Sequence, residues 1–245
     1  MSRFVGTAGW AIPRRWSALA PAEGKGLSRY SRVLNAVEIN SSFYRPHARD
    51  TYARWAANVP EDFRFAVKIP KAITHEAKLV DTGDALRQFL DQAEGLGPTL
   101  GVLLVQLPGR FEFDPAVAEA FFATLRKMHP GAIVCEPRNP TWFDSDANTL
   151  LETHRIGRVA ADPPRGTSPV APGGWGGIAY FRLHGSPRVY FSPYDQPFLW
   201  AIAGRISALP VPTWVIFDNT GSGSAFENAT RMRDLLAIPA TSGPE

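Results

Sequence analysis

Short apolar runs alternate with longer stretches of helical periodicity along most of the chain. The apolar runs predict strands at Phe4–Ala8, Ala36–Asn40, Phe63–Lys68, Val102–Gln106, Ile133–Glu136, Arg158–Ala161, Ala179–Leu183 and Trp214–Asp218. Between them, Tyr52, Trp55, Ala56 and Val59 repeat at i, i+3, i+4 and i+7, as do Leu86, Phe89, Leu90 and Ala93. Ala118, Phe121, Phe122 and Leu125 repeat the stripe, and Ala225, Ala229, Met232 and Leu236 extend one along a last helix. Asp50, Asp84 and Asp114-Pro115 read as helix starts.

Eight strand–helix units in 245 residues leave roughly 31 residues per unit, the spacing of an α/β, single-domain (β/α)8 TIM barrel. Residues 1–238 form that domain, and residues 239–245 are a flexible tail. An open doubly wound sheet shares the alternation, but no G-x-G-x-x-G follows the first strand. The same absence leaves no nicotinamide or flavin signature.

Composition narrows the setting. The chain is 44% hydrophobic and 20% charged, with net charge +3, a globular profile whose small basic surplus permits an anionic partner. No run of Lys and Arg marks a dedicated nucleic-acid binder, and no apolar stretch nears the ~20 residues that span a bilayer. Met1–Val5 leads directly into a strand and does not resemble a signal peptide. The lone Cys135 excludes an intrachain disulfide. A reducing cytoplasm fits these features, and oligomeric state is unread.

Active sites of such barrels lie at the C-terminal ends of the strands. Side chains alternate across a strand, so parity sorts each strand's last polar groups. In Val37-Glu38-Ile39-Asn40, the branched pair suits a helix-facing surface and leaves Glu38 and Asn40 inward. A carboxylate is costly to bury unless it is paired or used. The same reading places Lys68, Gln106, Glu136 with Arg138, Asp162, and Arg182 with His184 inward on later strands. On the eighth, parity does not choose between Asp218 and Asn219; Asn219 joins the set. Polar residues also mark strand ends near water, but inward parity recurring on several strands favours a ring of functional groups at the mouth.

Other residues extend the set. His75, after the third strand, either lines the mouth or lies on the surface. Tyr44, Trp142, Trp10, Tyr190 and Tyr194 crowd loops on that side and could stack on a sugar or base. His47, His129 and His154 read as solvated, and Cys135 as a packed thiol. Asn219-Thr220-Gly221-Ser222-Gly223-Ser224 leads into the last helix. It either cradles an anion, with Gly221 approaching it, or is a tight turn capped by Ser224.

An ordered series of segments resembles the domain of unknown function 72 family, also called YecE-like. It comprises Gly6-Thr7-Ala8-Gly9-Trp10, Val37–Tyr44, Phe65–Pro70 with Thr74-His75, Gln106-Leu107-Pro108, and Cys135–Arg138 with Trp142. Tyr180–Gly185, and Phe217–Thr220 with Ala225, Asn228 and Ala229, complete it, so the resemblance spans about residues 4–236. It implies a TIM barrel similar in architecture to the xylose isomerase and endonuclease IV group, many of which use divalent metals. It implies no reaction. Pro137 stands where the family often has Phe, and Asp218 where Asn is common.

The favoured expectation is an enzyme, a hydrolase or isomerase, acting on a phosphate-bearing sugar, nucleotide or nucleic-acid fragment. Lys68, Arg138 and Arg182 would bind the anion, with Asn40, Tyr44, His75, Gln106, Trp142, Asn219 and Gly221 around it. Glu38 or Glu136 would act as base and His184 as acid or base, with Asp162 as a further catalytic carboxylate. Glu136, Asp162 and His184 could instead hold a divalent metal. The alternatives are a glycoside hydrolase pairing Glu38 with Glu136 and a binding barrel without turnover.

Overall fold

The computed structural model describes residues 1–164 and 170–237. The expected tail and the middle of the loop after the sixth barrel strand lie outside the described residues. Ten strands form one sheet: β1 (Arg3–Ala8), β2 (Ala36–Ile39), β3 (Arg64–Lys68), β4 (Leu100–Gln106), β5 (Ala132–Glu136), β6 (Ile156–Arg158), β7 (Ala160–Asp162), β8 (Gly173–Gly174), β9 (Ala179–Leu183) and β10 (Thr213–Phe217). The order is β7-β9-β10-β1-β2-β3-β4-β5-β6-β8. All pairings are parallel except the two-residue β8 against β6. β6 and β7 are the halves of the sixth barrel strand, divided at Val159. One half pairs with β5 and the other with β9, and the chain itself closes the ring.

The chain is an α/β barrel. Its helices are α1 (Gly26–Tyr30), α2 (Ser41–Tyr44), α3 (Arg49–Ala56), α4 (Gly83–Ala93), α5 (Pro115–Met128), α6 (Ser145–Thr153), α7 (Gln196–Ser207) and α8 (Ala225–Ala237). The apolar stripes fall on α3, α4, α5 and α8, with Val59 just past the end of α3. Asp114 starts α5 as expected: its Oδ1 accepts from the N–H groups of Ala116 (2.9 Å) and Val117 (3.2 Å). Asp50 and Asp84 instead sit inside the first turns of their helices, where a negative charge meets the positive end of the helix dipole.

Two apolar cores flank the sheet. The larger one joins the outward strand residues to the helices. The smaller fills the barrel, with Ala36 and Ala66 set among Val102, Leu104, Val134, Tyr180, Trp214 and Ile216. Small residues on some strands leave room for large rings from others. Gly101 is required there: a Cβ at that position would stand 2.5 Å from the Trp214 ring. The inner core stops one to three residues short of the C-terminal ends of β2, β3, β4, β5, β9 and β10, and above it most of the inward side chains are polar.

Candidate functional site

The C-terminal mouth is organised around Arg182, fully buried on the inner face of β9. Its Nε and Nη2 donate to the two oxygens of Glu38, at 2.9 and 2.6 Å. Nη1 donates to Glu136 Oε2 at 2.5 Å, and Nη2 also reaches Asp218 Oδ2 at 3.0 Å. Three carboxylates from β2, from β5 and from just after β10 thus share one guanidinium. Tyr180, two residues earlier on the same face, donates its hydroxyl to Glu38 Oε2 at 2.9 Å.

His184 bridges two of these carboxylates. Its Nδ1 lies 3.0 Å from Asp218 Oδ2, and its Nε2 lies 2.8 Å from Glu136 Oε1. A ring so flanked can donate to both sides only as imidazolium. Arg138 adds a second cation, with Nη2 2.9 Å from Glu136 Oε1 and 3.2 Å from His184 Nε2.

These contacts set the charge states. Burial alone would raise the Glu136 carboxyl, but Arg182, Arg138 and His184 hold it well below the usual range. Burial likewise opposes ionisation of Asp218, and Arg182 and His184 reverse that. Arg182 is pulled down by burial and held well above its ordinary value by Glu136, Glu38 and Asp218. A carboxyl kept ionised this firmly cannot serve as the acid of a glycosidase pair, which needs a raised pKa.

Lys68 differs from its neighbours. It lies on the inner face of β3 and is only 8% exposed, yet no carboxylate lies within 4.0 Å of it among the described residues. Its ammonium stands 4.0 Å from the centroid of the Phe43 ring. Burial, with Arg182 adding repulsion, brings it down to about 8, against the pull of Glu38, Glu136 and Asp218. The Arg138 Nε is buried and donates to nothing. His75, on a π-helical turn (Ala72–Glu76) after β3, packs edge-on against the same Phe43 ring, 4.9 Å between centroids. Burial lowers its pKa, and Lys68 and Arg138 lower it further.

The structure brings together Glu38, Lys68, Glu136, Arg138, Arg182 and His184, with Gln106 beside Glu136 in the strand register. Gln106 Nε2 donates to the Leu107 carbonyl at 2.5 Å. Arg182 is a partner of the carboxylates and has no free face for a substrate, a correction to its expected role. Asn40 opens α2, and it lines a neighbouring cavity of 550 Å³ with Trp10 and Arg29. Its Oδ1 is buried without a partner. Tyr44 is 73% exposed at the rim.

Four expected residues belong elsewhere. Asp162 sits beside Leu183 in the register, on the helix-facing side, and its Oδ2 accepts the Tyr194 hydroxyl at 2.7 Å. Trp142 is fully buried in the outer core, where its Nε1 donates to Phe111 O. Asn219 points away from the barrel axis and donates to Ser192 O and Asn228 Oδ1; Asp218 takes the inward place. The Gly221 N–H is already bonded to Tyr190 O, and Gly223 N–H to Thr220 O, so this turn offers no open anion cradle at Gly221. Asp218 and Tyr180 are the site members that the sequence reading left out. Tyr180 shares the parity of Arg182 and His184, a signal that was present.

A metal at Glu136, Asp162 and His184 does not fit this arrangement. Asp162 is on the other side of its strand, and both Glu136 oxygens are taken by cations. Among the described residues no group of three His, Cys, Asp or Glu is spaced to hold an ion. No helix is long and apolar enough to cross a membrane among the described residues.

The family model described as "Protein of unknown function DUF72" matches residues 4–244. YecE, a UPF0759 protein of Escherichia coli K12, is 32% identical over 166 residues, which are 65% of this chain and 58% of YecE. The chain thus matches less than two thirds of that relative's length. A crystal structure of a DUF72 family protein from Thermotoga maritima superposes with a TM-score of 0.78 at 25% identity, covering 97% of this chain and 100% of that one. D-psicose 3-epimerase shares the fold at a TM-score of 0.53 and 10% identity, with 97% of each chain covered.

Proposed function

We propose, from the premise that this chain belongs to the family described as "Protein of unknown function DUF72", that it is an enzyme acting on a small phosphate-bearing substrate at the C-terminal mouth of its barrel. One observation carries the reading: at this mouth the Arg138 Nε is buried and bonded to nothing, and the Lys68 ammonium, on a side chain only 8% exposed, has no carboxylate within 4.0 Å among the described residues. A buried charge or donor left unmade is costly. A phosphate would satisfy both, the guanidinium by directed hydrogen bonds and the ammonium as a point charge.

The remaining groups divide the work. Arg182 fixes Glu38, Glu136 and Asp218, and these fix His184. Glu136 is held too acidic to be a strong base at neutral pH. Lys68, about 8 in the free site and raised again by a phosphate against it, stays protonated in the complex and is the acid among the proton carriers. His184, held between two carboxylates, is the second. Proton transfer on a sugar phosphate or a nucleotide is the chemistry this set supports.

The test is a thermal-shift screen of inorganic phosphate and phosphorylated sugars and nucleotides, followed by a search for turnover with those that bind. Inorganic phosphate and the sugar phosphates should raise the melting temperature of the wild type and not of Lys68→Met. Glu136→Gln and His184→Ala should fold and lose turnover. No shift with any phosphate compound, or an undiminished shift in Lys68→Met, would sink the reading.

A further inference from the structure

We propose that the cavity at the N-terminal end of the barrel is a second binding site, for a small molecule that joins a planar ring to a phosphate or carboxylate. This cavity, about 410 Å³, opens at the end opposite the Arg182 cluster. Its walls include Phe4, Trp175 and Trp214, and three arginines, Arg64, Arg126 and Arg155. No acidic residue lines it.

The arginines are not neutralised where they stand. Arg126 donates to four backbone carbonyls, of His154, His129, Gly131 and Arg155. These hold the guanidinium in place without cancelling its charge. Burial and the nearby Arg155 both lower its pKa, the mark of positive charge without compensation. Arg64 uses only Nη1, on the carbonyls of Glu61 and Phe63. The Arg155 side chain donates to nothing among the described residues.

Arg155 adds a separate observation. It directly follows the C-cap residue of α6, His154, with φ +55°. Helices that end this way usually place glycine there, because a Cβ is strained in the left-handed region. Keeping arginine at that position costs local stability and sets its guanidinium at the cavity.

The aromatic walls give the ligand its second half. Trp214 is buried in the barrel interior, 4.8 Å from Phe4 between ring centroids and stacked 5.9 Å from Tyr180. Its ring edge reaches the cavity. Trp175 is only partly buried and leaves ring surface to cover a planar group. Arginines and ring faces side by side suit a ligand with an anion at one end and a flat apolar body at the other.

Adenosine 5′-monophosphate is a suitable probe, titrated by calorimetry into the full chain carrying Lys68→Met, which silences the mouth, with adenosine and inorganic phosphate as separate arms. The nucleotide should bind at least about tenfold more tightly than either half. Arg155→Gly should weaken nucleotide binding by about tenfold, the loss of one charge-assisted contact. The same variant should melt at the same or a higher temperature, since glycine relieves the left-handed backbone. A merely structural Arg155 would show no such opposition of signs. Arg64→Ala should also weaken binding. Binding no tighter than that of phosphate alone, or an affinity untouched by both substitutions, would overturn the proposal.

Discussion

Arg182 shows how one side chain fixes the chemistry of a site. It lies within hydrogen-bond reach of three buried carboxylates and is the one cation that all three share. Arg182→Met should therefore cost on the order of 3–5 kcal/mol, the usual penalty for breaking a buried pair. The deficit should be largest near pH 7. It should narrow as pH falls through the carboxylate range, because protonation removes the stranded charge. Urea melts of both proteins at pH 7 and pH 4 check this, and an equal deficit at both would point to lost packing instead. Parity alone found Glu38, Lys68, Gln106, Glu136, Arg182 and His184. It could not reveal that Arg182 is committed to three carboxylates, because partner number depends on which strands face each other across the barrel. Parity failed at Asp162 because the small residues of this strand give no cue to which face is inward: Ala160, which shares the parity of Asp162, packs in the outer core, and Asp162 pairs with the outward Leu183. Trp142, expected at the mouth as a loop aromatic, holds a position with no period to read, and its burial is set by Phe111, Phe113 and Phe122.

Elements were legible where two signals coincided. α5 combines the Asp-Pro start with a clean apolar stripe, and its cap is realised in full. Asp114→Ala should cost about 1 kcal/mol, a fall in melting temperature of roughly 2–4 °C for a chain of this size. Asp114→Asn should recover most of it, and equal losses in the two variants would argue against capping. α7 has the same kind of start: Asp195 accepts from the Phe198 N–H at 3.0 Å, with a proline in the first turn. It escaped the stripe search because Leu199, Ile202, Ala203 and Ile206 share their helix with the exposed Trp200, which blurs the apolar face. The division of the sixth barrel strand left no mark in composition. It reflects closure of the ring, when one strand must pair with β5 at its start and β9 at its end.

At the scale of the whole molecule, the barrel followed from the repeat of strand and helix, and the mouth from its polar strand ends. The charge balance of that mouth makes stability depend on pH in two directions. Glu136 and Asp218 have folded pKa values below their unfolded ones. Their contribution is complete above the unfolded values and is lost as pH falls through the folded ones. Lys68 acts in the opposite sense. Its pKa is about 8 folded against 10.5 unfolded, so the unfolded chain holds the extra proton between those values, and stability rises with pH across that window. Below it, the buried ammonium costs about 3 kcal/mol, at ~1.36 kcal/mol per unit, partly offset by the Phe43 ring at ~1 kcal/mol. Lys68→Met should therefore stabilise the chain by about 2 kcal/mol at pH 7 and flatten the rise above pH 8, while ending anion binding at the mouth. Urea titrations from pH 7 to pH 10 read both effects, and a destabilised variant would contradict the charge assignment. An anion against the ammonium must raise its pKa again, so binding near pH 8 takes up a fraction of a proton. Sulfate, which does not titrate there, isolates that uptake. Its binding enthalpy at pH 8 should differ between buffers of unlike ionisation enthalpy for the wild type. Binding with no dependence on buffer would mean that the anion does not meet Lys68, and the proton carrier would have to be sought at His184.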